Sequence, residues 1–177
     1  MPAMTNEAAP RERDPFLEAV GRVTVAGAHL DRHLHSLLGS LAFEPTLLVL
    51  ANAEGTARLI ELCELALKCY NHDDPAALAD VKDCLTRAKA LKDKRNTVVH
   101  SLFMQAEDGN GLEAMRPVRK TLGHSVTPIT IGKMESLAKE IEELQSDLFR
   151  AGWNIRAPLT GMARMHRPGE PAEAAAE

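Results

Sequence analysis

Arg95-Asn96-Thr97-Val98-Val99-His100 ends the segment that reads as the longest helix of the chain, and its first residue stands where an apolar side chain belongs. At about 100° per residue, Val81, Leu85, Ala88, Leu91, Val98, Val99 and Leu102 gather on one side of that helix, with Arg95 near their middle. A guanidinium cannot shed its charge, and burying it unpaired is costly. The position therefore implies a carboxylate partner, a subunit seam, or a polar cleft that opens at this turn.

Outward from the hexapeptide, Asp74-Pro75 starts this helix with an N-cap and a proline at the first helical position. The helix is expected to run to about Phe103, before the turn-rich stretch Glu107-Asp108-Gly109-Asn110-Gly111. The same start signal, Asp14-Pro15, precedes Phe16, Val20, Val23, Gly27, Leu30, Leu34, Leu37 and Leu41, whose alternating spacing of four and three predicts a long amphipathic helix with a coiled-coil-like seam. Between these two, residues 45–53 read as a short apolar helix, and Ala57, Ile60, Cys63, Leu67 and Tyr70 mark another that stops near Asn71-His72.

Residues 102–106 and 112–118 flank the turn and predict a hairpin, and residues 125–131, interrupted by Pro128, predict an edge strand. Met134, Leu137, Ile141, Leu144 and Leu148 then restore helical period to about Ile155. The expected fold is all-α, an antiparallel helix bundle with a small β-hairpin insertion between the last two helices. One domain over residues 14–157 is expected, flanked by a polar N-terminal segment, 1–13, and a Pro-, Gly-, Ala- and Glu-rich tail, 158–177, both read as disordered.

The 177 residues, 45% of them hydrophobic, suffice for one ordinary core and are short for two. Cys63, Cys69 and Cys84 lack metal-ligand spacing and fall on helical segments, as expected of reduced thiols in a cytoplasm. The start lacks the basic and apolar regions of a signal peptide, and no apolar run approaches the ~20 residues that span a bilayer. A net charge of -4 argues against a general nucleic-acid coat protein, and 3% aromatic residues argue against stacking many bases on a platform. A local phosphate site stays open.

Arg95 and His100 are five apart and point about 140° from each other on one helix, so a single copy clamps a ligand with both only if the last turn unwinds. Two copies related by a two-fold axis bring the Arg of one helix and the His of the other together. Asn96 and His100, four apart, share a face, where the amide can orient the imidazole. Arg, a polar residue, three variable positions and His, near the end of a helix in a bundle, resemble the signature of the HEPN superfamily. The architecture of residues 14–155 fits the resemblance, although the motif itself covers six residues.

The resemblance implies a metal-independent endoribonuclease without a cofactor, often a toxin or antiviral effector, with a composite site in a homodimer and RNA as substrate. In such a site His100 moves protons, Arg95 stabilises charge on the phosphoryl oxygens, and Asn96 positions the phosphate or the His. It also implies a setting in stress response or phage defence, with an antitoxin or regulatory protein as possible partner. One departure is visible: some HEPN toxins carry, two positions after the His, a tyrosine that a partner enzyme modifies, and this chain has Leu102 there.

A non-catalytic reading stands beside it. Arg95 then pairs with a carboxylate such as Asp31 or Glu64, His100 hydrogen-bonds near the helix end, and the protein is a helical interaction or RNA-binding module. Nucleotide binding without cleavage is a third possibility.

Lys89, Lys92 and Lys94 form a basic cluster beside Arg95, opposed only by Asp93, readable as an RNA-guiding patch or as a solvated helix end favoured by the C-terminal dipole. Arg116, Arg119, Lys120 and His124 form a second basic stretch. His29, His33 and His35 with Asp31 invite a metal reading, but no third ligand recurs at helical spacing, and no metal site is expected. Trp153 is expected as a core anchor.

Overall fold

The computed structural model describes residues 13–70, 72–106, 111–118 and 121–169. Helix α1 spans Pro15–Ala42, α2 Pro45–Ala51, α3 Thr56–Cys69 and α4 Pro75–Val99. Strands β1 (Leu102–Gln105), β2 (Leu112–Pro117) and β3 (His124–Ile129) follow, and helix α5, Ile131–Thr160, completes the fold. The expected N-terminal segment falls almost wholly outside the described residues.

Both Asp-Pro starts act as caps. Asp14 Oδ1 accepts from the Phe16 N–H at 2.9 Å, and Asp74 Oδ1 accepts from Ala76 and Ala77 at 3.0 Å each. Each carboxylate satisfies donors that the first helical turn leaves orphaned. α1 buries the stripe Val23, Leu30, Leu34, Leu37 and Leu41 and ends at Phe43, whose φ of 51° turns the chain into α2. The Arg156 guanidinium sits 5.0 Å above the Phe43 ring and so ties this strained turn to α5.

α4 and α5 run antiparallel, with Lys94 paired to Glu140 and Arg87 to Asp147. α1 and α5 run in the same direction: Gln145 Nε2 donates to the Ala26 carbonyl at 2.9 Å, and further along both helices Gly152 lies against Ser40. Gly152 permits this approach, since a Cβ there would stand 3.2 Å from Ser40 Oγ. The bundle is thus mixed in sense.

The insertion is a three-stranded antiparallel sheet of order β1-β2-β3, in which Phe103 faces Ala114 and Met115 faces Val126. β3 is an edge strand and tolerates Pro128: Val118 donates to Gly123, bonded pairs alternate from there, and the Glu113–Pro128 pair is not one of them, so the missing N–H lies on the open side. Ala114 and Ile129 are buried, and Phe103 meets the Phe16 ring edge-on at 4.9 Å, so the sheet is pinned beside the start of α1.

Two boundaries differ from expectation. α4 ends at Val99, four residues before Phe103, because Leu102–Gln105 enter the sheet, and among the described residues its 25 residues rank behind the 30 of α5 and the 28 of α1. The expected structureless tail from Pro158 also begins too early. Pro158 lies inside the last turn of α5, where it forfeits only one helical hydrogen bond, and Gly161 closes the helix at φ 66°.

The chain then folds back as a strap. Trp153 Nε1 donates to the Ala163 carbonyl at 2.9 Å, and buried Asn154 donates to the Met165 carbonyl at 2.9 Å while accepting its N–H at 2.8 Å. Arg164 reaches Asp74 Oδ2 at 3.2 Å, and Arg167 reaches Asp147 at 3.1 Å. Asp147 therefore gathers Arg87 from α4, Arg150 from α5 and Arg167 from the strap. Burial alone would raise its carboxyl pKa, but the Arg87 hydrogen bond and the neighbouring positive charges outweigh burial and hold it below the usual range.

Candidate functional site at the end of α4

Arg95 turns into the bundle, as its place on the apolar face of α4 requires. Its Nη2 donates to Thr56 Oγ1 at 2.6 Å, and the Thr56 hydroxyl in turn donates to Asp31 Oδ1. Asp31 Oδ2 stands 3.8 Å from the same Nη2. One carboxylate from α1 and one hydroxyl from the first residue of α3 thus receive a charge supplied by α4. Of the two carboxylates named for Arg95, Asp31 is the partner, whereas Glu64 pairs with Lys89.

The guanidinium arm fits because α1 presents Gly27 to it. A Cβ at Gly27 would lie 3.1 Å from Arg95 Nε and 3.3 Å from Cδ. The Arg95 side chain keeps 16% of its surface exposed, while its Nε is buried without a hydrogen-bond partner. The fork is therefore half committed: Nη2 is held, and Nε is not.

His100 caps α4 with φ -116° and ψ 16°, its N–H donating to the Asn96 carbonyl at 3.0 Å. Its side chain is exposed and makes no hydrogen bond or ion pair among the described residues, and Asn96 is half-buried. Arg95 faces α1 and α3, whereas His100 faces solvent at the helix end. One copy of the chain does not bring the two together as a clamp. Leu102 is exposed at the start of β1.

The three candidate lysines each have an acidic partner. Lys89 pairs with Glu64, Lys92 with Asp93 at 3.3 Å, and Lys94 with Glu140 at 3.1 Å. The patch is thus interleaved with carboxylates from α3 and α5 that the α4 sequence alone does not reveal. Arg116 and His124 are exposed on β2 and β3, while Arg119 and Lys120 lie outside the described residues.

His33 Nδ1 bonds to the His29 carbonyl and His35 Nε2 to the Leu48 carbonyl, both at 2.9 Å, so two of the three α1 histidines are oriented by backbone. No group of three or more potential ligands stands together among the described residues. Trp153 is half-buried and spends its indole N–H on the strap.

Sequence reasoning missed Thr56 and the role of Gly27. Neither carries a motif; each matters only because α1, α3 and α4 converge at Arg95. No helix among the described residues is long and apolar enough to cross a membrane. No family model, curated protein or solved structure matches the chain.

Proposed function

We propose that the protein is a metal-independent endoribonuclease of HEPN-like type, acting as a homodimer on RNA in the cytoplasm, in stress response or phage defence. The observation that carries this reading is the Arg95–His100 pair: an unengaged imidazole at the helix end and, one and a half turns back, a guanidinium held in place yet with part of its donor fork uncommitted. The two diverge on one helix, so the site is completed by a second copy across a two-fold axis.

In the reaction a ribose 2′-oxygen attacks the adjacent phosphorus, the new O–P bond forms, and the bond to the 5′-oxygen breaks. His100 moves the proton, Arg95 offsets charge on the phosphoryl oxygens, and Asn96 orients the imidazole or the phosphate. Lys89, Lys92 and Lys94 reach RNA only by exchanging carboxylate partners for phosphates, and exposed ion pairs of this kind are cheap to exchange. An antitoxin or other regulatory protein would act by covering this surface.

A second reading has its own support. The Asp31–Thr56–Arg95 network satisfies the charge within one copy, as expected of a structural clamp in a non-catalytic interaction or RNA-binding module. Incubating wild type, Arg95→Ala and His100→Ala with total RNA in EDTA separates the two. Cleavage by wild type that both substitutions abolish supports the enzyme. Intact RNA with wild type, cleavage surviving His100→Ala, or loss of cleavage in EDTA overturns it.

A further inference from the structure

Strand alternation sorts the side chains of the sheet onto two faces. Phe103, Ala114 and Ile129 belong to the face on the bundle: Phe103 meets Phe16, and Ala114 and Ile129 are buried. The alternate residues make the outer face. In register across the three strands, its middle row is Leu102, Met115 and Val126, with Met104, Glu113 and Pro128 on one side of that row and Pro117 and His124 on the other.

An antiparallel sheet with one solvated face ordinarily turns its polar residues to water. Here the solvent side is apolar: Leu102 is 61% exposed, Val126 48% and Met104 39%, whereas Arg116 and Ser125 fall in the inner set. Three strands ~4.8 Å apart, the longer two of six residues at ~3.4 Å each, span roughly 300 Å². A patch of that size marks an interaction site, and it suits the apolar centre of an interface of about 800 Å² per partner.

The face is also complementary to itself. With a two-fold axis along the row, Leu102, Met115 and Val126 each meet their own counterparts, and Glu113 lies one strand spacing, ~4.8 Å, to the side of the partner's His124. The Glu113 carboxylate and the His124 imidazole have no hydrogen bond or ion pair among the described residues of one copy. An axis along the strands would instead set Glu113 against Glu113, a like-charge contact.

We propose that a second copy of the chain docks on this outer face, sheet on sheet, about the Leu102–Met115–Val126 row. The axis reverses β1 on itself and so lays the partner's β1 over the end of α4, beside His100. The proposal rests on the homodimer of the nuclease reading and names its surface.

Sedimentation of the full-length protein, with cleavage of total RNA assayed in parallel, tests it. Wild type is expected to be a dimer at about 50 µM, and Leu102→Lys with Val126→Lys to weaken association about 100-fold or more, since a two-fold contact doubles each charge. Circular dichroism checks that this variant is folded. Val49→Lys, at an exposed apolar residue of α2, leaves the dimer intact. Glu113→Lys weakens it, and Glu113→Lys with His124→Glu restores it. Monomeric wild type, a dimer that survives the Leu102 and Val126 substitutions, or an equal effect of Val49→Lys overturns the proposal. A surviving dimer leaves the nuclease reading standing, whereas a monomeric variant that still cleaves RNA refutes the composite site and upholds this interface.

Discussion

Replacing Gly27 by alanine should weaken the fold in the presence of Arg95 and strengthen it in its absence. In a helix interior, Gly→Ala stabilises by about 1 kcal/mol through backbone entropy and helix propensity. Here the new methyl meets Arg95 Nε at 3.1 Å and Cδ at 3.3 Å, tighter than ordinary contact. Overpacking of this kind costs about 1–3 kcal/mol. Displacing the arm also loosens the Nη2–Thr56 bond, a charged hydrogen bond worth about 1.5–3 kcal/mol. With that bond lost in full, the net loss is about 1.5–5 kcal/mol. In an Arg95→Ala background the obstruction is gone, and Gly27→Ala should gain about 1 kcal/mol. Urea unfolding of the four proteins, followed by circular dichroism at one protein concentration, yields the coupling directly. If Gly27→Ala shifts stability equally in both backgrounds, Arg95 does not occupy the space left by Gly27, and the account of the network is wrong.

Acid should act first through Asp147. Its carboxyl titrates below the usual range in the fold, so its contribution is fully present above the unfolded-state pKa and is lost as pH falls through the depressed native value; Asp147→Asn should flatten the acid limb of a stability-versus-pH curve below about pH 4. The cysteines should divide sharply toward a thiol reagent: exposed Cys69 reacts in the native state, whereas burial pushes Cys63 up to about 12 and Cys84 to about 11, so both wait for unfolding. The same raised values take stability away as pH climbs from the ordinary thiol range toward 11, which Cys63→Ala and Cys84→Ala should lessen in the slope of an alkaline titration. Asn154→Ala removes both bonds that hold Met165 and should free the strap at a cost of about 1–3 kcal/mol, with a red shift of Trp153 emission; unchanged emission would mean that the strap is held elsewhere.

Much of the architecture was legible from local chemistry. The two Asp-Pro caps and the seam from Phe16 to Leu41 are signals that a few residues carry alone, and α1 and α4 begin at the prolines they mark, whereas most of the expected turn at 107–111 lies outside the described residues. The errors lie where distant packing decides. Val99 and Leu102 continue an apolar helical stripe, yet Phe103 is claimed by the Phe16 ring and the sheet, which stops α4 early. Pro158 reads as a helix breaker, but the residues that make 162–167 a packed strap are Trp153, Asn154, Asp74 and Asp147, on other turns and other elements. At the site, Arg95 announced itself by its misplaced charge, and Asp31 was among the carboxylates that it implied. Thr56 and Gly27 have no such signal, because a hydroxyl at the start of a helix and a glycine in a seam are ordinary until a third helix meets them.

The bond between the Ala26 carbonyl and Gln145 joins residues 119 positions apart, and it lies in the pairing of the first and last helices. Bringing α1 and α5 together therefore spans long stretches of chain, whose closure entropy the α1–α3 and α4–α5 contacts offset in part. A fragment that stops after β3 keeps α3 and α4 against α1 but lacks α5, the helix with which α1 packs most extensively. During synthesis, the face of α1 that meets α5 therefore stays open until the last helix has been made.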